Sequence, residues 1–172
     1  DIRNCTTSDM KKDGSIWLIG KTKEEMGASL YYRSIGKDCP NIPKTDFDSF
    51  IPRMEQLIQA IEQGEVVACH DVSTGGIATA VIEMCMSGVG ANIRLGEDVR
   101  ADVELFSESN GRWIVQVANG KEKDFARRFD YAIRIGEVGS KVSFSKNNEI
   151  IADFEVEKLR KKWTMPVWDR LA

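Results

Sequence analysis

The alternation of apolar and polar positions along this chain predicts a series of short strands and helices. The longest periodic stretch covers residues 46–63, where apolar side chains recur every three or four positions and so mark one face of a helix. Asp46 stands where it can cap the start of that helix, and Gly64 stands where it can close the end. Pro52 falls inside the pattern, so we expect a kink there or a helix that begins near it.

Shorter periodic stretches predict the other elements. A short helix or turn is expected after Thr22, because Glu25 follows at the spacing of a capping box and Gly27 ends the pattern. Further helices are expected at residues 76–87, 98–106, 121–129 and 156–163. Strands are expected at residues 15–20, 65–69, 91–95, 112–118, 132–138, 141–145 and 149–154, with a turn at Asn147 and Asn148.

The order of these elements predicts the fold class. Strands and helices are mixed without strict alternation, and the late strands are expected to pair as hairpins. This order favours an α+β fold, with a layered mixed sheet and helices, over a doubly wound parallel sheet. The chain has 172 residues and shows neither an internal repeat nor a linker. We therefore expect a single domain that covers residues 1–172.

Composition narrows the classes of partner. The formal net charge is -3, which argues against a nucleic-acid binder that works by general charge. The apolar runs fall well short of the ~20 residues that span a bilayer, so no membrane partner is expected. The four cysteines form no C-x-x-C pair, so no zinc site is expected, and the reducing cytoplasm is the simplest compartment. The first residue is Asp1 rather than Met, so both a natural short subunit and a fragment stay open.

The segment HDVSTGG, residues 70–76, concentrates polar chemistry at a predicted strand-to-helix turn. Backbone N–H groups at a helix start favour an anion, and Gly75 and Gly76 let a ligand approach that backbone. His70 can act as donor, acceptor or base, and Asp71 can accept a ligand hydroxyl, orient His70 or hold a metal. The alternative is a turn without a ligand, in which His70 is partly buried and the helix is capped by Asp71, Ser73 or Thr74.

The segment FSESNGR, residues 106–112, is a second polar turn beside a predicted strand. Glu108 could bind a cation or an amine, and Arg112 could hold a phosphate or pair with Glu108. The alternative is a polar turn in which the Asn110–Gly111 pair reverses the chain and Ser109 caps a neighbouring segment. Because both turns adjoin buried strands, we expect that they can meet at one edge of the sheet.

Several segments together resemble one enzyme family. HDVSTGGIATAVIEM is similar to a segment shared by the ATP-dependent enzymes related to aminoimidazole ribonucleotide synthetase. Within that superfamily, four further segments of this chain resemble the phosphoribosylformylglycinamidine synthases. They are IWLIGKTKEEMGASLYY, GVGANIRL, LFSESNGRWIVQV and EVEKLRKKWTMPVWDRLA. The resemblance runs from about Met10 to the end of the chain. Ala28 departs from it, since the family usually has a second glycine at this position, and Thr74 stands where an acidic or polar residue is common.

The resemblance implies a C-terminal α+β domain of the family's synthetase subunit. That enzyme uses ATP, Mg²⁺ and glutamine-derived ammonia to convert formylglycinamide ribonucleotide to the amidine. The family's catalytic histidine and most of its ATP and Mg²⁺ ligands lie upstream, so we expect no catalytic residue, no metal ligand and no certain cofactor in this chain. The implied partners are the upstream domains of the subunit and the glutaminase and small accessory subunits, with a homodimer also open.

The resemblance also implies which residues face a nucleotide or another phosphate-bearing ligand. The expected ligand-lining residues are Asp71, Ser73, Gly75, Gly76, Glu108 and Ser109. His70 and Arg112 are secondary candidates. Two alternatives stay in view: another member of the superfamily, such as an aminoimidazole ribonucleotide synthetase or a selenophosphate synthetase, and a non-catalytic scaffold domain.

Overall fold

A computed structural model describes residues 4–129 and 131–171, the last six of them by their backbone alone. Within these residues the strands are β1 Ser15–Ile19, β2 Val66–Asp71, β3 Gly90–Arg94, β4 Trp113–Val117, β5 Ala132–Gly139, β6 Val142–Lys146 and β7 Glu149–Phe154. The helices are α1 Leu30–Ser34, α2 Phe47–Glu62, α3 Gly76–Met84, α4 Ala101–Phe106, α5 Glu122–Arg128 and α6 Val156–Leu171, and a 3₁₀ turn at Cys85–Ser87 follows α3. None of these helices is both long and apolar enough to cross a membrane.

The strands form one mixed sheet in the order β2-β4-β1-β5-β3-β6-β7. Strands β3 and β6 run parallel, and the other neighbouring pairs are antiparallel. This arrangement confirms the predicted α+β class with a layered mixed sheet. The hairpin expectation holds for β6 and β7, which Asn147 and Asn148 join with φ angles of 51° and 64°. It is wrong for β5 and β6, because β3 lies between them.

Helices cover the sheet on both faces and create two cores. Side chains of β1 alternate between them: Ile16 and Leu18 pack on the face covered by α3, and Ile19 packs on the face covered by α2 and α5. The larger core extends under α6 through Val156, and the smaller one contains Phe125 of α5. The apolar runs of the central strands are therefore explained by burial on both faces.

Helix α2 confirms the clearest sequence prediction, and Asp46 occupies its N-cap position. Its apolar surface, however, is wider than one buried face. Leu57 and Ala60 are buried against the sheet. A second row of large apolar side chains stays exposed, and we call it the α2 stripe. It consists of Phe47 (65% exposed), Ile51 (48%), Met54 (38%) and Ile58 (48%). The sequence pattern alone did not separate these two rows.

Of the short helix or turn expected after Thr22, the helix is wrong, and a turn lies at Gly27 and Ala28. Residues 21–29 adopt no regular secondary structure, and the first helix begins at Leu30 with Ser29 as its N-cap. Glu25 is buried rather than placed to cap a helix, with 6% of its surface exposed. Ala28 has a φ of 59°, in the left-handed region that glycine enters without strain and alanine does not.

Candidate functional site

The two polar turns meet at one edge of the sheet, as the sequence predicted. Strand β2 ends at Asp71 where β4 begins, since Asp71 pairs with Trp113 and the Val72 N–H donates to the Arg112 carbonyl over 3.0 Å. A cavity of about 510 Å³ opens there, and we call it the strand-end cavity. Its lining includes Asp71, Ser73, Thr74, Glu108, Asn110, Arg112 and Trp113, together with Thr45, Phe47 and Phe50.

Glu108 joins two helix starts at this cavity. One of its carboxylate oxygens, Oε1, accepts a hydrogen bond from the Leu30 N–H and another from the Gly75 N–H, each over 2.9 Å. Both donors lie at the positive ends of helices, where a carboxylate is stabilising. The Gly75 N–H, which the sequence suggested for a ligand anion, therefore already has the protein's own carboxylate as its partner.

Ser107 and Ser109 fasten the second polar turn to the loop that follows β1. The Ser107 hydroxyl donates to the Lys23 carbonyl over 2.7 Å, and the Ser109 hydroxyl accepts from the Lys23 N–H over 3.1 Å. The two hydroxyls are 2.9 Å apart, and both side chains are fully buried. These bonds explain why the Thr22 segment is not helical, since tertiary contacts hold its backbone in place. Ser109 lies behind the cavity wall rather than in it.

Arg112 connects the same turn and loop through hydrogen bonds from its buried side chain. Its guanidinium donates to the Ser109 carbonyl over 3.0 Å, to the Ser107 carbonyl over 2.6 Å and to the Thr22 hydroxyl over 2.8 Å. Only 1% of the residue is exposed. Burial lowers the pKa of Arg112 to about 10, against the attraction of nearby Glu25, so the side chain stays charged at neutral pH. Most of its donors are thus used within the protein rather than for a ligand.

His70 lies on the opposite face of the sheet from the cavity. Its Nε2 is 3.0 Å from the Glu83 carboxylate of α3, and its Nδ1 is 2.7 Å from the Asp71 carbonyl oxygen. These contacts tie the end of β2 to α3. The Asp71 side chain, one residue along the strand, is exposed, and its carboxylate comes within 3.5 Å of His70 Nδ1. Of these two residues, only Asp71 lines the cavity.

The two glycines shape the start of α3 rather than the cavity surface. Gly75 and Gly76 have φ angles of 80° and 68°, which glycine adopts freely. A Cβ on Gly76 would lie 2.5 Å from the Leu105 carbonyl oxygen and 2.8 Å from the Ser107 carbonyl oxygen. Gly76 therefore lets the start of α3 approach the end of α4 closely, and this approach positions Glu108 in front of Gly75.

The structure thus brings Asp71, Ser73, Glu108 and Arg112 to one cavity and places the other four candidates around it. Sequence reasoning missed the contribution of α2. The Phe50 ring lies 5.4 Å from the Trp113 ring, and the Asn110 amide donates to the Thr45 hydroxyl over 2.9 Å. Phe50 had the spacing of a core residue, and nothing local connected it with a site 60 residues away.

A second cavity adjoins the first and carries the opposite charge. It measures about 310 Å³ and we call it the basic cavity. Its cationic residues are Lys21, Lys23 and Arg53, and it shares Thr45, Phe50, Asn110 and Gly111 with the strand-end cavity. None of its three cations was a candidate from sequence, because β1 and α2 bring them together over long range.

The described part of the chain offers a metal ion few ligands. Carboxylates and water are the ligands that Mg²⁺ takes, commonly one or two carboxylates beside substrate phosphates. Among residues 4–129 and 131–171, no group of three His, Cys, Asp or Glu side chains lies close enough to hold a metal. Glu108 already accepts two backbone hydrogen bonds through Oε1. The residues of these ranges therefore do not form a Mg²⁺ site by themselves.

Comparison with known proteins shows the family of this chain and structures that share its fold. Residues 15–145 match the family described as AIR synthase related protein, C-terminal domain. The chain belongs to this family. It is similar in structure to Thermotoga maritima PurL complexed with FGAR, at a TM-score of 0.75 and 18% identity over 90% of this chain and 29% of that one.

Two other structures show how widely the fold is shared. The structure of PurLQS from Thermotoga maritima matches at a TM-score of 0.72 and 18% identity, over 90% of this chain and 27% of that one. The HypE-HypF complex matches at a TM-score of 0.57 and 18% identity, over 84% of this chain and 54% of that one. The chain therefore spans well under half the length of the PurL chains it matches, and these likenesses concern the fold.

Proposed function

We propose that this chain is the C-terminal domain of the synthetase subunit of phosphoribosylformylglycinamidine synthase. One observation carries the proposal: HDVSTGG, which resembles the whole superfamily, and LFSESNGR, which resembles this enzyme, fold into adjacent turns that line one cavity. The likeness of the fold to Thermotoga maritima PurL is consistent with it. HypE also matches in fold, so another ATP-dependent enzyme of the same family is the second candidate.

The proposed reaction forms a C–N bond at the expense of ATP. The amide oxygen of formylglycinamide ribonucleotide takes the γ-phosphoryl group of ATP, and ammonia from glutamine then displaces that phosphate to give the amidine. ATP and Mg²⁺ are cofactors of the whole enzyme in the cytoplasm. We propose no catalytic residue in this chain, and by itself the domain should be inactive.

In this proposal the chain supplies one side of a pocket for a phosphate-bearing ligand. Asp71 and Ser73 are exposed on the cavity wall and are the residues that would touch the ligand. Glu108 would fix the wall by holding the starts of α1 and α3 in place. Gly75, Gly76, Ser109 and Arg112 position this wall from behind, and His70 ties β2 to α3.

We further propose that the cavity edge faces an upstream domain of the same synthetase subunit. The α2 stripe supports this, because Phe47 belongs both to the stripe and to the cavity lining, so the apolar surface continues from the site. The glutaminase and the small accessory subunits would bind elsewhere on the assembled enzyme. If a homodimer or a non-catalytic scaffold were the true state, the same stripe would be dimer or packing surface.

The complete natural gene product that contains this sequence allows a direct test. Purified protein is supplied with formylglycinamide ribonucleotide, ATP, Mg²⁺ and ammonium, and amidine formation is measured with and without Asp71→Ala. We expect turnover that Asp71→Ala lowers and that Asp153→Ala, a distant exposed change on β7, leaves intact. Turnover with another substrate of the family, or equal turnover in both variants, would reject the function or the site respectively.

A matched pair of variants tests the domain contact. Ile51→Glu places a charge in the α2 stripe, whereas Gln59→Glu places one on the polar side of the same helix. If the stripe is covered by another domain, Ile51→Glu should lower the thermal stability of the complete gene product but not that of the 172-residue chain. Equal effects in the two proteins would mean that the stripe is not covered by an upstream domain.

A further inference from the structure

The basic cavity has no role in the proposed function, although it opens directly beside the proposed site. Thr45, Phe50, Asn110 and Gly111 line both cavities, and the hydrogen bond from Asn110 to Thr45 lies at their boundary. The combined space is large enough for a ribonucleotide-sized molecule, since the cavities measure about 510 and 310 Å³. One ligand can therefore extend from one cavity into the other.

Charge is divided unequally between the two cavities. The strand-end cavity is lined by the carboxylates of Asp71 and Glu108, and the Arg112 guanidinium donates to protein carbonyls and to Thr22. The basic cavity is lined by three cations against a single carboxylate, that of Asp46. Because like charges repel and opposite charges attract, an anionic group is favoured in the basic cavity and disfavoured beside Asp71.

The cationic side chains of the basic cavity suit a phosphate group. Arginine presents a planar set of donors that matches phosphate oxygens in pairs, and lysine supplies a compact positive charge. The Lys21 ammonium lies 5.1 Å from the centre of the Tyr131 ring, which limits where it can move. Lys23 lies 4.0 Å from the Glu25 carboxylate. Ser49, in the first turn of the 16-residue helix α2, also lines this cavity, and its hydroxyl donates to the carboxylate of the N-cap residue Asp46 over 2.8 Å.

We propose that the basic cavity binds the phosphate group of the ligand, through Lys21, Lys23 and Arg53, while Asp71 in the strand-end cavity accepts hydrogen bonds from its ribose. This assignment rests on the proposed function and deepens it, since the basic cavity adjoins the strand-end cavity. It moves the phosphate away from the glycine turn, where the N–H of Gly75 donates to Glu108. The ligand class is a ribose phosphate or a nucleotide.

Calorimetric titration of the 172-residue chain at low salt tests the assignment. The probes are pyrophosphate, which carries only the anionic part, and ribose 5-phosphate, which adds the sugar. Lys21→Gln and Arg53→Gln should each weaken pyrophosphate binding about tenfold, which is the scale of one charge-assisted hydrogen bond. Lys161→Gln, an exposed lysine on α6, should change it less than about twofold.

Asp71→Asn separates the two cavities. It should leave pyrophosphate affinity unchanged or slightly higher, because it removes a negative charge, and it should weaken ribose 5-phosphate relative to pyrophosphate. Thermal unfolding checks that each variant folds, and Lys23→Gln replaces Arg53→Gln if the latter does not.

Three results would overturn the assignment. They are an absence of pyrophosphate binding to the wild-type chain, an equal loss in Lys161→Gln and Lys21→Gln, and a larger loss of pyrophosphate affinity in Asp71→Asn than in Lys21→Gln. The test is independent of catalysis. If the expected binding pattern holds while the gene product forms no amidine, the proposed function fails and the phosphate site stands. If the gene product forms the amidine while the binding pattern fails, only the phosphate site is rejected.

Discussion

Replacing Arg112 with methionine tests whether the buried guanidinium holds the candidate site together. Methionine has a similar length and fills much of the space, but it donates no hydrogen bond. The change removes the donors to the carbonyls of Ser107 and Ser109 and to the Thr22 hydroxyl. Each buried acceptor left without a partner costs about 1–3 kcal/mol, so we expect a loss of about 3–5 kcal/mol in the free energy of unfolding.

Urea denaturation followed by far-UV circular dichroism measures this loss. We expect a lower midpoint with an unchanged m-value, because the surface exposed on unfolding stays the same. Arg112→Lys keeps a charge but loses the fixed set of donors, so its loss should be intermediate and it serves if Arg112→Met does not fold. Arg134→Met is the matched control, since the Arg134 side chain is 52% exposed and its removal should change stability by less than about 0.5 kcal/mol.

The reasoning about the buried arginine would be refuted by a small effect. If Arg112→Met unfolds within about 1 kcal/mol of the wild-type protein at an unchanged m-value, the three hydrogen bonds do not hold the turn. If Arg112→Lys is as stable as the wild-type protein, the fixed arrangement of donors on the guanidinium has no importance and only the charge matters. Either result would also remove the physical reason for the non-helical Thr22 segment.

Three further changes test separate features of the fold. Gly76→Ala should destabilise the chain by about 3 kcal/mol in the same urea assay, and Gly64→Ala by about 1 kcal/mol. Both glycines have a similar positive φ, but only a Cβ on Gly76 would meet backbone atoms. Equal losses of stability would show that α3 and α4 can separate at little cost. Ala28→Gly should raise stability by about 0.5–1 kcal/mol by relieving a φ of 59°, and a loss of stability would show that the left-handed conformation is not strained. Burial raises the pKa of the Glu104 carboxyl, so the folded protein binds a proton there more readily than the unfolded chain does. Relative to Glu104→Gln, the stability of the wild-type protein should therefore rise as the pH falls through the folded pKa and level off below the ordinary value of 4.5. Parallel profiles of stability against pH for the two proteins would contradict this.

The strands were predictable from sequence because burial on both faces leaves a local signal. Runs such as those of β1 and β4 are almost wholly apolar, and such runs bounded by turns indicate buried strands. The order of the elements indicated the α+β class, and the polar residues themselves indicated the two turns, both before the family resemblance was added. That these turns meet follows from the antiparallel pairing of β2 with β4, which places Asp71 opposite Trp113.

The failures have a common physical origin in long-range contacts. The capping-box spacing of Thr22 and Glu25 was a valid local signal, but bonds from Ser107 and Ser109, more than 80 positions away, hold the Lys23 backbone. Local propensity is a weak determinant when tertiary hydrogen bonds compete with it. Likewise, Glu108 has the residue type of a ligand-binding carboxylate, yet it accepts two backbone N–H groups.

The role of α2 was hidden for a different reason. Its periodicity correctly predicted a helix, but a pattern of apolar residues does not state which part of the surface the protein covers. Leu57 is buried, whereas Phe47 and Ile58 remain exposed. The cations of the basic cavity come from residues 21–23 and from Arg53, which become neighbours only when α2 packs on the sheet.

The central claim is that this chain forms part of an enzyme that converts formylglycinamide ribonucleotide to its amidine. The most direct measurement is mass spectrometry of the product made by the complete natural gene product with that ribonucleotide, ATP, Mg²⁺ and ¹⁵N-ammonium. We predict an amidine that carries one ¹⁵N atom, formed together with one ADP for each amidine, and a lower rate with Asp71→Ala. ATP hydrolysis without amidine, or no reaction of this ribonucleotide, would contradict the claim.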